Sequence, residues 1–301
     1  MASTTMASTT RPQFPTTTTP TYQFPTDKLR LRQTQHGKTP LVLVACGSFS
    51  PITYLHLRMF EMARDYCGIN TNYEVVGGYI SPVSDAYKKA GLAPSYHRIN
   101  MIKLSLQSSS WIMVDEFETS VRNPATGEPE YTPTAQVLAK LDHEINTVRG
   151  GIQSVEDPSI RRRARICLLA GGDLILTMST PGLWAPVDLE VILGHNFGAF
   201  IVERSGTDTE EALATLQEYR ENIWVIPQVI QNDISSTKIR LFLKKNLSIR
   251  YLIPDAVVRY IEENDLFNGE VSSKNEDSAP AASSSVAGPS SAPAQSTTAD
   301  P

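Results

Sequence analysis

The sequence predicts a single α/β domain, a parallel sheet with helices on both faces, and three observations predict it. Short apolar runs alternate with stretches of helical spacing through residues 39–267. The runs stop at glycines or turn residues, as strands buried on both faces do. The flanks are polar: residues 1–38 begin MASTTMASTT and pass through TTTTPT, while residues 268–301 are mostly Ser, Ala, Pro and Thr. Both flanks are expected to be disordered, and the middle has the size of one domain.

The elements follow in order. LVLVAC (41–46) reads as a buried parallel strand ending at Gly47, and Leu55, Met59, Met62 and Ala63 space a helix up to Tyr66. YEVVGGYI (73–80) is a second strand closed by Ser81-Pro82. Ser95 is placed to cap a helix through Ile99, Ile102 and Leu106. WIMV (111–114) is a third strand. Thr132-Pro133 gives a cap with proline in the first turn of a helix through Val137, Leu138 and Leu141. Residues 147–164 are polar and read as an inserted loop. RICLLA (165–170), GAFIV (198–202) and IWVI (223–226) complete the strands, with a helical stretch near Thr209–Tyr219. Helices from Ser236 to Lys245 and from Pro254 to Glu263 close the chain. The alternation is Rossmann-like, and beyond the MASTT duplication there is no internal repeat.

Composition excludes several classes. The net charge of −5 divides as +4 in the head, −6 in the middle and −3 in the tail. A mildly acidic middle is not the basic footprint of a nucleic-acid binder. No apolar run approaches a membrane span, and no secretory segment follows Met1. Pro12, Pro15, Pro20 and Pro25 speak against an amphipathic targeting helix in the head. Cys46, Cys67 and Cys167 are far apart, without a CxxC pair, and are expected to be buried free thiols of a reducing compartment. RRRAR (161–165) is either a weak nuclear address or a solvated insert, so a nuclear and/or cytoplasmic location is expected. Oligomeric state stays open, a homo-oligomer included.

In an open α/β sheet ligands bind outside the carboxyl ends of the strands, which directs attention to GSFSPITYLHLRMFEMA, residues 47–63. This is not a dinucleotide fingerprint, because Phe49 and Ile52 replace its second and third glycines. It lacks the GKS or GKT of a phosphate-binding P-loop, and Phe49 and Pro51 break a GxSxG elbow. What remains is a glycine turn with Thr53 and His56 around a helix start, where free N–H groups favour an anion. Alone, Thr53 would be a cap and His56 a half-buried helix residue. A second motif changes that weighting. NDISSTKIR (232–240) clusters Ser235, Ser236 and Thr237 at another helix start, with Lys238 and Arg240 in its first turn. Cations there oppose the helix dipole unless an anion joins them. A substrate with several phosphates accounts for both motifs.

Gly47-Ser48-Phe49-Ser50-Pro51-Ile52-Thr53 with His56 resembles the (H/T)xxH signature of the nucleotidyltransferase superfamily. Ile234-Ser235-Ser236-Thr237-x-x-Arg240 resembles its ISSTxxR partner. More closely, the chain resembles the eukaryotic nicotinamide/nicotinate mononucleotide adenylyltransferases, through SPVSDAYKKAGL (81–92), YHR (96–98), AGGDLI (170–175), PGLW (181–184) and SIRYLIP (248–254). These segments run in family order across 41–267.

The resemblance implies ATP and a pyridine mononucleotide as substrates, direct in-line attack, and NAD or deamido-NAD with pyrophosphate as products. It implies that His56 and Arg240 stabilise the α-phosphate region and that Ser236 and Thr237 hold the β/γ end. Gly47, Ser48 and Phe49 would contact both nucleotides, with Ser48 and Lys89 near the mononucleotide phosphate. Gly171 and Asp173 match a ribose-binding turn, and Asn232 and Arg204 lie on the adenosine side, with Thr53 at the triphosphate. Trp184 matches the pyridine-stacking aromatic, and Phe117 stands at the second stacking position, usually Trp. Leu55 stands where bacterial relatives commonly have Gly. Mg²⁺ is implied with ATP. Asp115, Glu116 and Glu118 read as an acidic strand-end turn, and no protein metal ligand is expected. Another nucleotidyltransferase, such as a pantetheine-phosphate adenylyltransferase or a cytidylyltransferase, and a nucleotide-binding scaffold or chaperone-like role stay open. Trp184 and SPVSDAYKK count against the first alternative, intact His56 and Arg240 against the second.

Overall fold

A computed structural model describes residues 22–203 and 209–268. The strands are β1 (Thr39–Gly47), β2 (Tyr73–Pro82), β3 (Ile112–Val114), β4 (Ile152–Gln153), β5 (Arg161–Arg162), β6 (Arg165–Gly171), β7 (Ala199–Val202) and β8 (Ile223–Ile226). Six of them form one sheet in the order β3-β2-β1-β6-β7-β8, every pair parallel. The helices are α1 (Tyr54–Asn70), α2 (Ser95–Ser105), α3 (Phe117–Ser120), α4 (Thr134–Asp142), α5 (Gly172–Ser179), α6 (Pro186–Leu193), α7 (Thr209–Thr215), α8 (Ser236–Lys244) and α9 (Asp255–Glu263).

Alternation along β1 sorts the helices onto two faces. Leu41, Leu43 and Ala45 pack with Phe60, Met101, Ile102 and Val257, from α1, α2 and α9. Val42 and Val44 face the other way and meet Val137, Leu138, Ile175 and Ile192, from α4, α5 and α6. The strand order reverses between β1 and β6, so a crevice opens outside Gly47 and Gly171, the carboxyl ends of those strands.

The head boundary drawn at residue 38 is corrected by this packing. From Tyr22 onward the chain lies on the domain. Leu29 is buried in the core, Phe24 stacks on Tyr79 at 5.2 Å, and the Tyr79 hydroxyl donates to Pro25 O at 3.0 Å. Arg30 N–H donates to Val76 O at 2.9 Å, and its guanidinium pairs with buried Glu74 at 2.8 Å. A Cβ on Gly77 would lie 2.9 Å from Leu29 Cδ1, so the missing side chain is the notch that Leu29 fills. A few apolar side chains in a polar stretch decide the boundary, and average composition does not register them.

The polar insert folds back as the antiparallel β4–β5 pair, and it engages the basic run. Arg161 donates to Gly151 O, Arg162 pairs with Glu156, and Arg163 pairs with Asp142. Two helix starts also differ from expectation. Ser95 begins α2 with Pro94 as its cap, and its hydroxyl bonds Asp85. Pro133 caps α4, leaving the buried Thr132 hydroxyl without a partner among the described residues. Among those residues no helix is long and apolar enough to cross a membrane.

Candidate functional site

The turn after β1 carries Phe49 at positive φ, a cis Ser50–Pro51 peptide and Thr53 as the cap of α1. Thr53 N–H donates to His56 Nδ1 at 2.9 Å, and the Thr53 hydroxyl lies at the same distance from that nitrogen. With Nδ1 accepting, the neutral imidazole carries its proton on Nε2 and presents a donor there. The Phe49 ring packs edge-on against the imidazole at 5.1 Å and fixes its plane.

The start of α8 is fastened to the same turn. Ser236 Oγ donates to Pro51 O at 2.8 Å, and Arg240 Nη1 donates to Ser50 O at 2.8 Å. Arg240 Nη2 lies 3.4 Å from the exposed Thr237 hydroxyl. The guanidinium crosses Gly91, whose φ of +73° suits glycine and whose Cβ would sit 2.8 Å from Arg240 Nε. Burial lowers the Arg240 pKa, and burial together with the Arg240 charge lowers that of Lys89. Two cations thus stand close enough to oppose each other's charge. The two helix N-termini, His56, Ser236, Thr237, Lys89 and Arg240 are therefore one group, facing the crevice at Gly47. Lys238 does not belong to it, because its ammonium pairs with Asp233 while its backbone N–H caps on Ser235.

Arg98, the last residue of the YHR segment at 96–98, supports this turn from below. It is 0% exposed, and it donates to Ser48 O, Val83 O, Ala93 O and Asp85 Oδ1. Ser50 Oγ accepts from Ala93 N at 2.9 Å. The turn and the 83–93 loop are thereby held as one body.

Across the crevice, Gly171 ends β6 and caps α5, with open space among the described residues where a Cβ would stand. Asp173 is exposed in the first turn of α5. Trp184 is half-buried, its indole N–H donating to Thr177 Oγ1 at 3.1 Å. Asn232 acts locally, its Oδ1 accepting from Ile234 N at 3.0 Å and shaping the approach to α8. Arg204 lies outside the described residues.

On the β2–β3 side the expected second stacking ring is not at the surface. Phe117 is 1% exposed, with Tyr22 against its ring at 5.8 Å and Lys140 Nζ at the same distance. The ring that reaches the rim is Tyr131, 36% exposed and stacked on Tyr87 at 5.9 Å. Its hydroxyl is pushed up to about 12, by burial first and then by Glu118, Tyr87, Cys46 and Asp188. Those neighbours place it between the floor of the crevice and α6. The signal that could have found Tyr131 is an aromatic residue two positions before Pro133 at a helix start.

Beneath that ring lie buried carboxyls. Glu118 is 2% exposed, and its Oε1 accepts from Ser81 Oγ at 2.5 Å. Burial carries its pKa up to about 8, with the nearby Asp115 charge adding to the rise. Asp115, also buried, accepts through Oδ1 from Tyr22 OH at 2.8 Å and from Phe117 N at 3.2 Å. Its Oδ2 has no partner among the described residues. Burial moves the Asp115 pKa up to about 6. The Cys46 thiol, at the end of β1, is pushed well above its ordinary value by burial and by these two acids. Among the described residues no group of three or more His, Cys, Asp or Glu is arranged to hold a metal ion.

Residues 44–242 match the cytidylyltransferase-like family. The nicotinamide/nicotinic acid mononucleotide adenylyltransferase 1 of Saccharomyces cerevisiae is 52% identical, over 82% of this chain and 60% of its own length. The corresponding adenylyltransferase of Schizosaccharomyces pombe is 53% identical, over 82% of this chain and 65% of its own. Nicotinamide/nicotinic acid mononucleotide adenylyltransferase 1 of Bos taurus is 37% identical, over 79% of this chain and 92% of its own. The match thus spans under two thirds of the two yeast relatives and nearly all of the bovine one. On the sheet order, the paired helix starts and these likenesses, the chain belongs to the nicotinamide/nicotinic acid mononucleotide adenylyltransferases, within the cytidylyltransferase-like family.

Proposed function

We propose that the protein transfers the adenylyl group of ATP to nicotinamide or nicotinate mononucleotide, giving NAD or deamido-NAD and pyrophosphate. The observation that carries this is the fastening of Arg240 and Ser236 to the Ser50-Pro51 turn, which puts two helix N-termini and His56 at one crevice. A phosphate oxygen of the mononucleotide attacks the α-phosphorus of ATP. The new P–O bond forms as the bond to the bridging α–β oxygen breaks, and its electron pair leaves with pyrophosphate. The chain supplies no nucleophile, because the substrate phosphate is one. Catalysis is positioning plus charge stabilisation.

His56 presents its Nε2–H to the α-phosphate, and the Arg240 fork spans the α-phosphate and the leaving group. Ser236 and Thr237 with the α8 N-terminus receive the β/γ end. Lys89 and Ser48 meet the mononucleotide phosphate. Gly171 and Asp173 offer a turn for the adenosine ribose. Trp184 and Tyr131 provide the two aromatic surfaces for the pyridine, Tyr131 taking the place expected of Phe117. Magnesium would enter with ATP and neutralise part of the triphosphate charge.

The test is pyrophosphate release and dinucleotide formation from MgATP with each mononucleotide, supplied separately. Product from either is expected. A folded protein inert toward both overturns the proposal.

A further inference from the structure

In-line transfer needs two phosphates at a fixed separation, and the groups assigned to them stand on different pieces of chain. His56, Ser236 and Arg240 gather at the Ser50-Pro51 turn, which Ser236 and Arg240 fasten by their own bonds. Lys89 stands on the 83–93 loop, which leaves the end of β2 and returns to the start of α2. Within that loop Tyr87 N–H donates to Ser84 O at 3.0 Å and Leu92 N–H to Lys89 O at 3.2 Å, so its backbone bonds there are local turns. Its place at the crevice is set at its two ends, and one guanidinium reaches both. Arg98, on α2, donates from Nη2 to Val83 O at 2.7 Å and to Asp85 Oδ1 at 2.9 Å, at the outgoing end. Its Nε donates to Ala93 O at 2.8 Å, at the returning end, and its Nη1 to Ser48 O at 3.2 Å in the turn.

Resting on the function proposed above, we infer that Arg98 is a positioning residue for the mononucleotide: by clamping both ends of the 83–93 loop to Ser48, it sets Lys89 against the Ser50-Pro51 turn and aligns the attacking phosphate with ATP. The chemistry of the clamp requires arginine. A guanidinium spreads five N–H donors around a rigid plane, whereas a lysine ammonium gathers three at one point. Acceptors on Nε, Nη1 and Nη2 together use that spread, and the side chain is wholly buried. The loop also meets Arg240 directly. Ser50 Oγ donates to Gly91 O at 3.2 Å, and a Cβ on Gly91, two residues past Lys89, would lie 2.8 Å from Arg240 Nε. A shift of the loop therefore changes the spacing between Lys89 and Arg240.

The test is steady-state kinetics of Arg98→Lys, with MgATP and the mononucleotide that the protein turns over each varied in turn. KM for the mononucleotide is expected to rise several-fold. KM for ATP should stay within about twofold, because the turn keeps its bonds to Ser236 and Arg240. The kcat is expected to fall roughly 10²-fold, the scale of an ångström's misplacement between reacting groups. In a Lys89→Ala background the same substitution should add little to the mononucleotide KM, since the residue it positions is gone. Asp85→Ala removes the one acceptor of the four that belongs to a more open side chain, and should shift the mononucleotide KM the same way by less. That variant decides the matter if Arg98→Lys does not fold. An unchanged mononucleotide KM, equal rises in both KM values, or an undiminished effect in the Lys89→Ala background overturns the inference. Wild-type protein inert toward both mononucleotides refutes instead the adenylyl-transfer reading, so the two failures are distinguishable.

Discussion

Polarity at the Ser50-Pro51 turn comes from backbone N–H groups, hydroxyls and cations within reach of solvent. Polarity at Glu118 and Asp115 comes from acids shut away from it. The first region is made of local devices, a helix start and its cap, each written in a few consecutive residues. The second is assembled from the ends of three strands, a short helix and a segment nearly a hundred residues upstream. The turn prepares positive potential before a phosphate arrives, and the floor stores uncharged acid that a change of pH can ionise.

The largest effect that would sharpen this contrast lies at the turn. His56→Ala should lower turnover by roughly 10²–10³-fold, as expected for removing one preorganised donor to a developing charge, with the circular dichroism spectrum intact. Unchanged turnover would remove His56 from the mechanism. The two aromatic residues on the floor side should separate cleanly. Phe117→Ala should cost about 3–5 kcal/mol of stability in urea titrations, because its ring is core. Tyr131→Ala should leave the urea midpoint nearly in place and weaken mononucleotide binding by roughly 1–3 kcal/mol, read as a rise in KM. The reverse pattern would restore Phe117 to the stacking position.

The buried acid has its own signature in stability. In the unfolded chain Glu118 loses its proton near its ordinary 4.5, whereas in the fold it keeps it up to about 8. Across that window the unfolded state binds fewer protons, so stability falls as pH rises and levels off above 8. Urea midpoints from pH 4.5 to 8 should decline less in Glu118→Gln than in wild type; equal slopes would mean that the carboxyl is not protonated in the fold. The smallest effect belongs to Arg259. Its pair with Asp255 on α9 is open to water on both sides, and Arg250 also reaches Asp255, so Arg259→Ala should cost no more than about 1 kcal/mol in the same titration.

The same division explains which features are legible in the sequence. Apolar runs locate all six strands of the parallel sheet, and capping chemistry locates α1 and α8, because both signals are local. Position in the first turn of α8 groups Lys238 with the phosphates, yet Asp233, five residues before it, takes its charge. Which aromatic reaches the rim depends on the path from residue 117 to 131, which periodicity does not describe. That Glu118 is protonated depends on burial by elements distant in sequence, so an acidic turn is all its neighbours can indicate.

Leu29 in the notch over Gly77 and Tyr22 on Asp115 bear on how far the folded domain extends ahead of β1. A shortened variant starting at Thr39, where the compositional shift invites a cut, would open a void against β2 and strip the bond that Tyr22 gives Asp115. Its losses would be registered at the crevice as well as in melting temperature. The stretch from Tyr22 to Leu29 is thus part of the folding unit, tied both to β2 and to the buried acid that follows β3.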